Sequence, residues 1–86
     1  MTIVWTERYN CHRASIGNGF ELCVNWDSGT RPKGTPENAQ GGFIVYACGL
    51  RCKKCAYTAE EGKAIAILFA RKILAETLAN LTENKA

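Results

Sequence analysis

The sequence predicts an α+β fold: an antiparallel sheet of three to four strands packed against one long C-terminal helix, in a single domain covering residues 1–86. Three observations carry this. Before Thr58 the apolar residues mostly alternate with polar ones, the period of a strand with one wet face. The dipeptide Asn18-Gly19 separates two such runs, a strong hairpin signal. Thr58-Ala59-Glu60-Glu61 then forms a capping box, in which Thr and Glu side chains satisfy backbone N–H groups at a helix start. No proline follows Pro36 to interrupt that helix.

The first strand is expected over residues 3–14, with Ile3, Trp5, Tyr9 and Cys11 on one face and Val4, Arg8, Asn10 and His12 on the other. Residues 15–19 form the turn. The second strand, 20–27, alternates most cleanly: Phe20, Leu22, Val24 and Trp26 point to the core, and Glu21, Cys23, Asn25 and Asp27 to solvent. Residues 28–42 contain four glycines and two prolines and have no periodicity. A loop of that length is either a floppy hairpin connection or a functional segment. Residues 43–48 are apolar on both faces, as in a central strand, and 53–57 can return as a short fourth strand.

The helix is expected over residues 59–80. Ile65, Phe69 and Ile73 form one apolar stripe, and Ile67, Leu74, Leu78 and Leu81 a second, nearly opposite. A surface helix normally needs one stripe. Either the sheet curls around the helix and covers both, or the second stripe is a contact surface. The second reading predicts a homodimer through Ile67, Leu74, Leu78 and Leu81, with Leu74 and Leu78 near its centre.

Composition bounds the function. With 47% hydrophobic and 22% charged residues the chain is globular rather than disordered, and a net charge of +3 permits nucleic-acid contact without imposing it. The apolar run at 64–70 is too short to span a bilayer, and no basic stretch precedes an apolar N-terminal core. A cytoplasmic protein with no membrane contact is therefore expected. There is no phosphate-binding loop, no G-x-S-x-G and no close carboxylate pair beyond the helix-capping Glu60 and Glu61, so no catalytic residues are assigned and no enzyme is expected.

Five cysteines leave one unpaired in any disulfide scheme. Cys48-x3-Cys52-x2-Cys55 could converge on one structural zinc, with His12, Cys11 or Cys23 as the fourth ligand. Free thiols and a disulfide are the alternatives. Alternation places Cys11 and Cys23 on different faces. It also separates Cys11 from His12, so those two cannot form a catalytic dyad, and His12 reads as a solvated strand residue. Arg31, Lys33, Arg51, Lys53 and Lys54 are the candidate contacts to a partner or to nucleic acid.

Two resemblances add to this. Phe43-Ile-Val-Tyr, a short strand, and Thr58-Ala-Glu-Glu-Gly-Lys63 resemble the second half of a double-stranded-RNA-binding domain over roughly residues 43–74. The resemblance implies a β-β-α unit and RNA binding; Lys63 matches a basic position, while the family's phosphate-gripping lysines would fall at Ala59 and Glu60. The pattern Trp5…Gly19-Phe20-x-Leu22-x-Val24-x-Trp26 followed by a capped, alanine-rich helix resembles small sheet-plus-helix proteins of phages and mobile elements, anti-CRISPR inhibitors among them. It implies a non-enzymatic module that binds and blocks a host nucleoprotein complex. A nucleic-acid-binding protein and a small structural-zinc protein are the alternatives.

Overall fold

The structure is a computed structural model and describes residues 2–83. It is an antiparallel sheet with one helix on one face. In chain order the elements are β1 (Thr6–Arg8), β2 (Cys11–Gly17), β3 (Phe20–Asp27), β4 (Gly42–Ala47), β5 (Leu50–Arg51) and α1 (Ala59–Glu83). The strands lie side by side in sequence order, so every connection is local.

Two-residue turns set the register. Tyr9-Asn10, Asn18-Gly19 and Cys48-Gly49 all have positive φ at both positions (51° and 60°, 56° and 81°, 53° and 80°). That is the type I′ geometry whose twist suits a hairpin. The turn at Asn18-Gly19 is the expected one. The turn at Tyr9-Asn10 breaks the expected first strand in two and brings the sheet to five strands, Arg8 pairing with Cys11. Ile3 and Trp5 still pack toward the core, but the face of Cys11 no longer follows from theirs. The expected fourth strand is displaced as well. Leu50 and Arg51 pair with Ala47 and Tyr46, and the chain next pairs at Ala56, opposite Phe43. Regular pairing would put residue 54 opposite Phe43, so Lys53 and Lys54 are extruded as a bulge.

The loop 28–41 is built rather than floppy. The Asp27 carboxylate accepts from the Gly29 amide (3.2 Å) and the Thr30 hydroxyl (2.7 Å), and Thr35 donates its hydroxyl and amide to the Pro32 carbonyl. Pro32 is buried against Gly42. A Cβ on Gly41 would stand 2.5 Å from the Asp27 carbonyl oxygen, so only glycine lets the loop return this closely.

Helix α1 starts as its cap dictates: the Glu61 amide donates to Thr58 Oγ1 (3.2 Å) and the Gly62 amide to the Thr58 carbonyl (3.0 Å). It meets the sheet along Gly62, Ala66 and Ala70, one residue per turn, and these are its buried positions. Opposite them lie Leu22, Val24, Val45 and Ala47, all essentially inaccessible to solvent. Ile65, Phe69 and Ile73 flank this ridge on one side and Ile67 on the other, all partly buried against the core. Ile65, Phe69 and Ile73 of the first predicted stripe and Ile67 of the second are thus the shoulders of a small-residue ridge, while Leu74, Leu78 and Leu81 of the second stripe stay exposed. Of the predicted core face of β3, Leu22 and Val24 are buried, while Phe20 and Trp26, at its ends, remain 38% and 39% exposed. The helix also outruns the sheet. Its 25 residues extend about 37 Å, and every residue from 74 to 83 is exposed.

The seating distance is testable at Gly62, where an added Cβ would stand 2.5 Å from Val24 Cγ1. Helix propensity alone favours Gly62→Ala by about 1 kcal/mol. The packing predicts the opposite sign, a loss of about 1–3 kcal/mol from overpacking. Val24→Ala should relieve it, so a double-mutant cycle by urea unfolding should show a coupling of about 1 kcal/mol or more. A stabilised Gly62→Ala single variant would mean the helix sits farther from the sheet.

Candidate functional site

The sheet face opposite the helix has nothing packed on it among the described elements. Its composition follows from the register. Leu22 and Val24 point to the helix, so Glu21, Cys23 and Asn25 point away. Their partners on β2 (Cys11, Arg13, Ser15) and β4 (Ile44, Tyr46) join them. Arg8 and Thr6 enter from β1 opposite Cys11 and Arg13, and Arg51 from β5 opposite Tyr46.

The result is a basic and aromatic surface around a pair of thiols. The Arg8 guanidinium lies 5.4 Å from the centroid of the Tyr9 ring, which is itself 86% exposed. Arg13 pairs with Glu21 at 3.0 Å, but both ends are wet, so the pair contributes little to stability. The Asp27 carboxylate is spent on its loop. Arg8 and Arg51 have no acidic partner among the described residues. A shallow depression of about 400 Å³ opens between Thr6, Arg8, Tyr9, Cys11 and Arg13.

Cys11 and Cys23 lie at the centre, with sulfurs 3.8 Å apart in a thiol–thiol hydrogen bond. This corrects the expectation that they occupy different faces. The Tyr9-Asn10 turn resets the parity of β2, and Cys11 falls in with the polar set. Burial, assisted by the Cys11 thiol, pushes the Cys23 pKa up from 9.0 to about 11.

The proposed zinc ligands are not brought together. His12 pairs with Val24, so it points to the helix side rather than to solvent. Its ring meets Phe43 edge-on at 6.2 Å, and its Nδ1 is buried without a hydrogen-bond partner among the described residues. Phe43 is near one end of β4 and Cys48 just past the other, about 16 Å along the strand. Cys52, whose amide bonds to the Val45 carbonyl, and Cys55, beside Ala56, are strung out along the β4 edge between those ends. Among the described residues no three His, Cys, Asp or Glu side chains are grouped to hold a metal ion. All five cysteines are free thiols.

The predicted basic contacts divide among three places. Arg51 is on the open face. Arg31 turns back on its own loop, donating to the Ser28 and Thr30 carbonyls (3.2 Å each), and Lys33 is exposed in the same loop. Lys53 and Lys54 flank a separate groove of about 340 Å³ against α1, floored by Ile65, Leu68 and Phe69 and rimmed also by Lys72. Sequence reasoning missed Arg8, Arg13, Tyr9 and Tyr46. The usable signal was Asn10, a residue that tolerates the left-handed conformation a two-residue turn requires.

The Cys23 thiol gives a pH signature. Its proton is held more tightly in the folded than in the unfolded chain, so folding stability is fully present below pH 9.0 and falls as pH rises toward 11. The thiolate is the reactive form. Alkylation of Cys23 by iodoacetamide, followed by mass spectrometry, should be slow at pH 8 and quicken about tenfold per pH unit toward 11. Labelling of Cys23 at its unfolded-chain rate at pH 8 would contradict the burial described. Comparison with protein-family models, with curated proteins and with solved structures found no match for this chain.

Proposed function

We propose that the protein is a non-enzymatic binding module whose open sheet face is its contact surface, and that the partner is a protein with an acidic patch. The observation that supports this is the uncovered face itself. Arg8 and Arg51 have no acidic partner among the described residues, and Tyr9, Tyr46 and Ile44 provide apolar area beside them. Arginine and tyrosine dominate the energetics of protein interfaces because each combines a large contact area with directed polar groups. A sheet face held by backbone pairing on every strand is also rigid, so little ordering entropy is lost on docking.

In its more specific form the module is an inhibitor encoded by a phage or mobile element, acting in the cytoplasm on a host defence complex. That form rests on the sequence resemblance to sheet-plus-helix inhibitors. The second reading is a nucleic-acid binder. The same Arg and Tyr side chains favour it, since exposed aromatics on a sheet can stack on unpaired bases while arginines track phosphates.

A charge reversal separates these readings. Arg8→Glu with Arg51→Glu changes two exposed side chains and should leave the melting temperature nearly unchanged. In nuclease-treated host lysate the parent should retain a discrete protein partner that the double variant loses. Retention of single-stranded RNA by the parent, weakening steeply with salt as phosphate contacts do, would favour the nucleic-acid reading. Equal capture by parent and variant would show that the contact surface lies elsewhere.

A further inference from the structure

We infer that Cys11 and Cys23 form a two-thiolate site for one monovalent copper ion on the open sheet face. Both thiols are half-buried, and their sulfurs lie 3.8 Å apart. Two metal–sulfur bonds of about 2.3 Å, meeting at a tetrahedral to trigonal angle, place their sulfurs about 3.8–4.0 Å apart. The pair is therefore spaced to share an ion before any ion arrives. Nothing among the described elements packs over this face, so the side chains can rotate toward a straighter S–metal–S line. The depression beside Thr6, Arg8, Tyr9 and Arg13 opens Cys11 to solvent and gives the ion a way in.

The register disfavours the simpler fate of two adjacent thiols, a disulfide. Cys11 pairs with Asn25 and Cys23 with Arg13, so the cysteines are diagonal neighbours, not opposite ones. Diagonal residues have Cα atoms about 7–8 Å apart, beyond the roughly 4.4–6.8 Å that a disulfide spans without backbone movement. The ladder on either side holds the backbone in place. A bridging ion needs no such movement, because it fills the gap that a disulfide would have to close.

Ligand count and charge choose the ion. Among the described residues no three ligating side chains are grouped, so tetrahedral zinc would find only two of its four protein ligands here. Monovalent copper is soft, prefers thiolate sulfur and is satisfied by two such ligands. Binding breaks two S–H bonds and forms two S–Cu bonds; two protons leave to solvent and the copper keeps its oxidation state. The product carries one net negative charge. Beside it stand Arg8, which has no acidic partner among the described residues, and Arg13, which Glu21 partly occupies. The burial that holds the Cys23 proton penalises a bare thiolate, and a bound ion cancels much of that charge. The inference does not rest on the proposed function, since the ion needs no partner.

The test titrates the reduced protein anaerobically with monovalent copper against a chromogenic chelator of that ion, with iodoacetamide footprinting by mass spectrometry. One equivalent should bind, and it should protect Cys11 from alkylation while Cys48, Cys52 and Cys55 still label. Cys23→Ser keeps the side chain's size on an uncovered face, so circular dichroism should be unchanged. It should weaken binding at least about a hundredfold, because the second bond to a chelated ion is intramolecular. Protection of Cys11 in the parent decides the matter even if that variant does not fold. No copper binding, or copper that protects the other three cysteines and leaves Cys11 reactive, overturns the proposal, as does a folded Cys23→Ser variant of parental affinity. Zinc bound at the pair as tightly as copper overturns the choice of ion.

Discussion

Everything in this fold depends on how closely one helix can approach one sheet. Gly62, Ala66 and Ala70 present almost no side chain to β3 and β4, so the helix backbone settles onto Leu22, Val24, Val45 and Ala47. Those four sheet residues are sealed because of that approach, and Ile65, Phe69, Ile73 and Ile67 then clasp the contact from both shoulders. A chain this short has little apolar surface to bury, and close packing extracts the most from each residue it has. The arrangement also decides what is left outside. A single helix covers one face of the sheet, so the other stays wet, and a helix longer than the strands it crosses must project.

Those two exposed surfaces differ in chemistry because the strands alternate. On β3, core residues at Leu22 and Val24 oblige Cys23 and Asn25 to face outward, and the pairing partners across the sheet follow by register. The concentration of arginine, tyrosine and thiol groups on one face is therefore a consequence of hairpin turns that lock the register residue by residue. The projecting part of the helix exposes Leu74, Leu78 and Leu81. One molecule thus carries a basic, aromatic sheet face and, apart from it, an apolar stretch of exposed helix.

Much of this was legible in the sequence. The α+β class, β3 to the residue, the Asn18-Gly19 turn and the Thr58 cap all rest on local signals, namely alternation, positive φ and orphan amides, that tertiary context reinforces. The departures arose where one residue's worth of local geometry resets everything downstream. Tyr9-Asn10 looks like the middle of an alternating strand, yet both residues adopt left-handed backbone and reverse the chain. That single turn moved Cys11 beside Cys23 and hid the face that Arg8 and Arg13 share. The bulge at Lys53-Lys54 kept the cysteines strung along an edge instead of gathering them. The first helix stripe and Ile67 are legible as apolar residues but not as shoulders, because a ridge of Gly and Ala carries little hydrophobic signal of its own; its importance appears only once a Cβ at Gly62 is seen to collide with Val24.

The seating of the helix is the central claim, and one comparison of thermal unfolding tests it most directly. Ala66 is fully buried in the ridge, whereas Ala64, in the same stretch of helix, is exposed. Leucine and alanine are both good helix formers, so helix propensity barely separates Ala66→Leu from Ala64→Leu. If the small-residue ridge sets the approach, Ala66→Leu should lower the melting temperature by several degrees, the equivalent of about 1–3 kcal/mol of overpacking, and Ala64→Leu should leave it unchanged. Equal melting temperatures for the two variants would contradict the account.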